Sequence, residues 1–342
     1  MRASLGASDT ALAPARGRVT HTARAPEGRS VLGFLLLMGS ALAGCGHAAP
    51  RHSPERQPPP HVLVVGLEQV ALRTTAWVEL HAWLAAEGAY AKAGAGDDRD
   101  EQLGRTTRTL EACEDERCAR AAVAGTPFAS PYLAALPEFL ARHWTERAAT
   151  ARAGVELARA ALGPEVEPLV TKLAQDLAIE WPTPPPVVDI VSRAPDPGRD
   201  APIRVLLSAH GNCFARSRTE SERMHDARVV DCVLAYAAIR LGPRSALARA
   251  LSRELAERGI ADDLDRAWTA LVVHAVAVTV SAWEPKHSSV LRRSAASVMP
   301  QAMAWLAGEW PARMRGASVD DFAKQYAAAL ADARHAMARP AP

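Results

Sequence analysis

Apolar residues recur every three or four positions along most of the chain, and this spacing predicts a mainly helical protein. Segments rich in Gly, Pro or Asp separate the periodic stretches and mark where helices begin or end. The predicted helices cover residues 63–92, 101–113, 130–162, 165–180, 226–241, 245–258, 264–283, 288–313 and 318–337. Ser130 with Pro131 supplies an N-cap and a first-turn proline, and Ser318 with Asp321 resembles a capping box.

Two runs of apolar and β-branched residues, 187–191 and 203–207, predict the strands of a small sheet. Two strands alone are marginally stable in water, so the sheet needs helices packed on it. The expected fold class is therefore mainly α, with a two- or three-stranded sheet in an α+β C-terminal part. Residues 181–186, WPTPPP, predict the joint between a helical subdomain (61–181) and the α+β subdomain (186–338).

Residues 31–43 form an apolar run without charge, and arginines precede it. The run is shorter than the roughly 20 residues that a helix needs to cross a bilayer, so it suits the core of a signal peptide. It ends in LAGC, residues 42–45, which resembles the lipobox of bacterial lipoproteins, where diacylglycerol is added to the cysteine. A buried helix with a chance cysteine is the alternative, although three nearby glycines would break it. Residues 1–44 are thus predicted to be a signal peptide and Cys45 to carry lipid.

Residues 45–60 are rich in Pro and charge, which is typical of a tether that holds a folded part away from a lipid surface. Gly46, in place of Asp, resembles the sorting signal for the outer membrane in Gram-negative lipoproteins. The expected location is therefore the cell envelope, on the periplasmic side or the cell surface, with the membrane as partner through the lipid anchor.

Formal charge changes the list of expected partners. The whole chain carries +2, and the first 44 residues, with five Arg against Asp9 and Glu27, contribute +3, so residues 45–342 carry −1. This near-neutral balance argues against a nucleic-acid partner.

Four cysteines remain besides Cys45, an even number that suits an oxidising compartment. Three connectivities are possible, and the spacing favours Cys113 with Cys118 and Cys213 with Cys232. A metal site is the weaker alternative, because neither pair has two-residue spacing and no nearby His completes a tetrahedral set. The cysteines are therefore interpreted as structural.

Motifs for common chemistry are missing from the sequence, which lacks a phosphate-binding glycine loop and a G-x-S-x-G elbow. Histidines of the folded part do not lie four residues apart on a helix, so no metal site and no cofactor are predicted. His274, inside VVHAVAVTV, is interpreted as a hydrogen-bonded core histidine. His210 and Asn212, in SAHGNC after the second strand, and His225 downstream are the possible ligand-binding residues.

Residues 186–330 resemble bacterial zinc metallopeptidases of the gluzincin kind in the order of their elements. In that family two strands precede a helix with H-E-x-x-H, and a later helix carries a third ligand, a Glu. The corresponding segments here are VVDIV, IRVLLSAH, a helix over 226–241 and a helix over 264–283. The resemblance implies a zincin-like C-terminal part.

The metal ligands of that family are missing from the corresponding helices. Residues 227–243 contain no His or Glu, and residues 266–283 contain no acid, whereas this zinc chemistry needs two imidazoles, a carboxylate base and a third ligand. The resemblance thus implies a degenerate member without catalytic residues. The inward face of the former ligand helix should be core, packed against residues 268–276; it consists of Val229, Val233, Tyr236 and Ala237.

Two functions remain open at this point. The first is a non-catalytic binding or scaffolding lipoprotein with a peptide or another envelope protein as partner, since a strand over 203–210 at the sheet edge could pair with an extended peptide. The alternative is a hydrolase with an unrecognised active site near His210 and His225.

Overall fold

Four short strands form one mixed sheet in the computed structural model, which describes residues 60–91, 99–194, 207–209 and 213–338. Their order across the sheet is β1-β2-β3-β4. β1 and β2 pair antiparallel, whereas β2–β3 and β3–β4 pair parallel. The strands are β1 (Val62–Gly66), β2 (Ala71–Thr75), β3 (Val187–Val191) and β4 (Leu207–Ser208). The predicted fold class, mainly α with a small sheet, is confirmed, and the sheet has four strands instead of two or three.

The additional strands β1 and β2 lie where the sequence predicted the first helix to begin, at residue 63. The valine-rich residues of β1 instead pair with β2 across a turn closed by the Leu67 amide donating to the Val70 carbonyl at 2.9 Å. Helix α1 (Ala76–Ala86) begins only after β2, where the Thr75 hydroxyl accepts from the Val78 amide at 3.2 Å. Pairing with the distant β3 decides this outcome, because it buries β2 at the centre of the sheet.

Helices make up most of the remaining described chain, as the periodicity predicted. The predicted helix 130–162 is interrupted by a π-helical turn at Phe139–His143, just after Pro137, whose ring nitrogen cannot donate to the helix ladder. The predicted helix 288–313 is divided at Met299. The helices after α1 are α2 (Arg99–Glu111), α3 (Glu116–Val123), α4 (Ala129–Glu138), α5 (Trp144–Ala161), α6 (Glu167–Asp176), α7 (Glu222–Arg240), α8 (Ala246–Glu257), α9 (Leu264–Trp283), α10 (Val290–Val298), α11 (Pro300–Met314) and α12 (Val319–Ala338).

Two hydrophobic clusters form the core of the described residues, all of which belong to one compact unit. The smaller cluster packs helices α1, α2, α3 and α4 together. The larger cluster packs the sheet against α5 and the later helices. α7 and α9 pack together in the larger cluster, and the predicted inward face of α7 is buried: Val229, Val233, Tyr236 and Ala237. That expectation is confirmed. A subdomain joint at residues 181–186 stays a prediction.

Helix α5 packs closely on the parallel strands because it carries Gly154 at the contact. A Cβ on this residue would lie 2.8 Å from the Ala209 Cβ and 3.1 Å from the Ile190 Cγ2. Both distances are shorter than van der Waals contact, so only glycine allows this approach.

One helix among the described residues, Ala261–Trp283, is long and apolar enough to cross a membrane. Its most apolar window is 72% buried against the rest of the protein, as in the central helix of a hydrophobic core.

Candidate functional site

The four cysteines lie in the two pairs that the spacing favoured. Cys113 and Cys118 bond across the turn between α2 and α3, with Cα atoms 5.3 Å apart. Cys213 bonds to Cys232, with Cα atoms 6.0 Å apart, and ties the segment before α7 to the middle of that helix. The first bridge therefore fastens the turn between two helices, and the second fastens the segment before α7 to that helix.

Of the predicted ligand-binding residues, only His225 lies within the described residues; His210, Asn212 and the lipidation residue Cys45 lie outside them. His225 is in the first turn of α7, after the N-cap Ser221. It is 6% exposed, and its Nδ1 atom has no hydrogen-bond partner among the described residues.

The Glu220 carboxylate is the acidic neighbour of His225, with one oxygen 3.9 Å from the imidazole Nδ1. Glu220 already accepts from the Arg228 guanidinium and, at 3.2 Å, from the Ser217 amide. Burial lowers the pKa of His225, although Glu220 opposes this shift. The site thus offers a neutral imidazole beside a carboxylate that arginine already compensates, which is suited to accepting or donating one hydrogen bond.

A buried charge network, made of Arg73, Asp189, Arg240, Glu111 and Tyr236, joins the sheet to α2 and α7. The Arg73 guanidinium donates two hydrogen bonds to the Asp189 carboxylate, at 2.7 and 2.8 Å. Arg240 donates to Glu111 and lies 3.7 Å from Asp189, and the Tyr236 hydroxyl donates to Glu111 at 2.7 Å. Two cations face two anions, so the network is electrically balanced.

The burial of this network changes the pKa values of its acidic groups and keeps its carboxylates away from solvent. Burial raises the pKa of Glu111, with Arg240 opposing, and burial also raises the pKa of Tyr236. The Asp189 side chain is 1% exposed and the Glu111 side chain 4%. Each carboxylate is occupied by arginine, so the network holds elements together and leaves neither acid free for a substrate.

A second buried cluster lies where the parallel strands β3 and β4 end. The Glu79 carboxylate accepts from the Ser192 hydroxyl and, at 2.6 Å, from the Ser192 amide. Arg147 donates to the same hydroxyl at 3.2 Å, and the Ser208 hydroxyl donates to the Ser192 carbonyl at 3.2 Å. Burial raises the pKa of Glu79 to about 7, against the opposing effect of those Ser192 hydrogen bonds.

Carboxyl ends of parallel strands are common places for ligands, and a carboxyl group that titrates near pH 7 can act as a general base. Here, however, Glu79 is 0% exposed and Ser192 is 2% exposed. A substrate cannot reach the hydroxyl without a rearrangement. The cluster as observed is a link between α1, α5 and β3.

A third cluster contains Ser289, His287 and Asp231, the residue types of a hydrolase triad, in a different geometry. In a triad the histidine lies between the serine and the acid. Here the acid is central: the Ser289 hydroxyl donates to Asp231 at 2.7 Å, and the His287 Nε2 atom lies 3.5 Å from the same oxygen. Ser289 also caps α10 by accepting from the Arg292 amide at 3.1 Å. The cluster fastens the loop before α10 to α7.

His274 is buried, as predicted, but the prediction of a hydrogen-bonded histidine was wrong at Nδ1, which finds no partner in the part of the chain that the structure describes. Its ring lies edge-on to Trp310, with the ring centroids 5.7 Å apart. Burial lowers the pKa of His274 to about 4, so the ring is neutral at pH 7.

The clusters were missed from sequence because their members are far apart along the chain. The one local signal was Asp189, an acid within the apolar strand VVDIV, which must be paired if that strand is buried. Nothing in the sequence identified Arg73, 116 residues away, as its partner.

The described residues contain no group of three or more His, Cys, Asp or Glu side chains placed to hold a metal ion. The sequence matches no protein-family model, and comparisons with curated proteins and with solved structures give no match either. The resemblance to gluzincin peptidases therefore stays a hypothesis.

Proposed function

We propose that this chain is an exported envelope lipoprotein, anchored by lipid on Cys45, with a non-catalytic binding or scaffolding role. The two disulfides support export, because such bonds persist in oxidising compartments and are rare in the cytosol. Both of these bridges lie in the folded part, beyond the segment with the lipobox pattern. Location at the outer membrane rests on Gly46.

The state of the buried charges supports the non-catalytic part of the proposal. Glu111 and Asp189 are held by arginines, and the Ser289, His287 and Asp231 cluster lacks the order of a catalytic triad. The face of α7 that the resemblance assigns to metal ligands is buried, and its one polar atom, the Tyr236 hydroxyl, donates to Glu111. These groups stabilise a frame, which leaves the surface to bind a partner.

Lipid attachment is tested by labelling cells with a radioactive or alkyne-bearing fatty acid. Cys45→Ser should abolish the label and leave the precursor uncleaved, because the thiol that receives diacylglycerol is gone. Cys118→Ser is the matched control and should keep the label. Label that persists in Cys45→Ser at the wild-type level would refute the anchor.

His225, buried and neutral with an unbonded Nδ1, is the observation that favours the alternative, a hydrolase near His210. The purified chain would be incubated with mixed peptides and with esters, and cleavage followed by mass spectrometry. The binding proposal expects no cleavage. Cleavage that His225→Gln abolishes, while the melting temperature stays unchanged, would establish the hydrolase instead.

A further inference from the structure

A shallow groove runs between α6 and the turn that joins β1 to β2. One part has a volume of about 410 Å³ and is lined by Trp181, Glu68 and Gln69 on one side and by α6 on the other. It adjoins a second depression of about 470 Å³ along α6. The two share the residues Glu167, Thr171 and Gln175, which lie four positions apart and so face the same way. The result is an elongated surface site.

The indole of Trp181 is held in place at this groove. Its Nε1 atom donates to the Gln69 carbonyl at 2.9 Å, and the half-buried ring packs against the larger hydrophobic cluster. A ring fixed in this way loses little conformational entropy when a ligand stacks on it.

The side chain of Gln69 is an unused polar group at the same place. The residue is 8% exposed, it lines the groove, and its amide forms no hydrogen bond with the described residues. Its amide atoms are not among the fully buried polar atoms that lack a partner, so they remain accessible at the groove, where a ligand can form hydrogen bonds with them.

The charge of the groove is negative. Glu68 and Glu167 are exposed, and neither forms an ion pair with the described residues. Lys172, which lines the adjoining depression, donates to both carboxylate oxygens of Asp176, at 2.9 and 3.0 Å, so its charge is already balanced.

We propose that this groove binds an arginine side chain presented by an extended segment of a partner protein. A planar guanidinium stacks on an indole and carries five N–H donors in fixed directions, enough for the two carboxylates and the Gln69 oxygen together. The depression along α6 accommodates the residues next to that arginine. This inference rests on the proposed binding role and names the chemistry of the partner.

The test uses the full chain in detergent and fluorescent pentapeptides with a central arginine flanked by alanines, followed by anisotropy. The arginine peptide should bind and its citrulline counterpart, which has the same shape without the charge, should bind at least tenfold more weakly. Glu68→Gln and Glu167→Gln should each weaken binding by about two- to fivefold, the range for exposed charge pairs. Glu309→Gln, an exposed glutamate outside the groove on α11, is the control and should have no effect.

Several outcomes would overturn the proposal. They are equal binding of the citrulline peptide, wild-type affinity in the Glu68→Gln, Glu167→Gln double variant, or no binding at about 1 mM peptide. N-acetylarginine amide that binds as tightly as the peptide would show a site for small guanidinium compounds instead. Fatty-acid labelling of Cys45 is measured separately, so failure of the groove leaves the anchor and a binding role through another surface intact.

Discussion

Glu79 is a single buried side chain that should make stability depend on pH. Burial raises its pKa from the ordinary value of 4.5 to about 7, so the folded chain keeps a proton that the unfolded chain has released in that interval. At Glu79 the folded state therefore binds more protons than the unfolded state between pH 4.5 and 7. The contribution of Glu79 to the free energy of unfolding falls as pH rises through this window.

Glu79→Gln should remove this dependence, since the amide mimics the protonated carboxyl group and does not titrate. From pH 5 to pH 8 the wild type should lose about 2 kcal/mol of stability relative to the variant. Urea unfolding at both pH values measures the difference, and comparison with the variant cancels the titration of other groups such as His274. Parallel curves for the two proteins would contradict the assigned protonation state.

Gly154 is a second residue whose effect can be measured against a matched control. Gly154→Ala should destabilise the chain by about 1–3 kcal/mol, because its Cβ would meet Ala209 at 2.8 Å. Gly308, within α11, has no atom within 4 Å of such a Cβ, so Gly308→Ala should stabilise by about 0.5–1 kcal/mol. Thermal or urea unfolding gives both values. A shift of the same sign in the two variants would refute close packing of α5 on the sheet.

At the scale of elements, the disulfides make a quantitative prediction. The Cys213–Cys232 bridge spans 19 positions and the Cys113–Cys118 bridge 5, so their removal should cost about 3 and about 2 kcal/mol, respectively. Paired Cys→Ala variants and urea unfolding measure these costs. Thiol counting on unfolded, unreduced protein should find close to none free, and four reactive thiols would contradict both bonds.

Helices were predictable because the information for them is local. The predicted helix 264–283 agrees with α9 at both ends, since its apolar run and its boundaries are adjacent in sequence. The strand β2 was not predictable in this way. Leu72 and the apolar residues around it fit a helical period as well as a strand, and the choice depends on β3, more than a hundred residues later.

Candidate sites were predicted less well than the helices, because their side chains come from segments that are far apart in the sequence. The cysteine pairs follow from short spacing and were found. The buried charge network and the Trp181 groove combine side chains from separate elements, and no single stretch of sequence contains the pattern. His225 could be identified from the sequence as a candidate residue. Its contact with Glu220, and the ion pair by which Arg228 balances the charge of Glu220, depend on the three-dimensional structure of the segment before α7.

At the scale of the whole molecule, apolar side chains are packed between α7 and α9, so we expect folding to be independent of metal. Burial of apolar area at about 25 cal/mol per Å² supplies the free energy that ligation supplies in small metal-dependent domains. The melting temperature should be the same with and without EDTA, measured by calorimetry, and purified protein should contain zinc well below one equivalent. A lowered melting temperature in EDTA would show that the chain uses ligands outside the described residues.

The parallel pairing of β2 with β3 also fixes when the molecule can complete its fold. Arg73 and Asp189 are 116 residues apart, so the sheet has a high contact order and cannot close until the later strand exists. At the usual rate of synthesis, about 5–20 residues per second, this gap lasts roughly 6–23 s. For that time one edge of β2 and the charge on Arg73 have no partner, and a nascent chain in this state is a substrate for chaperones and proteases.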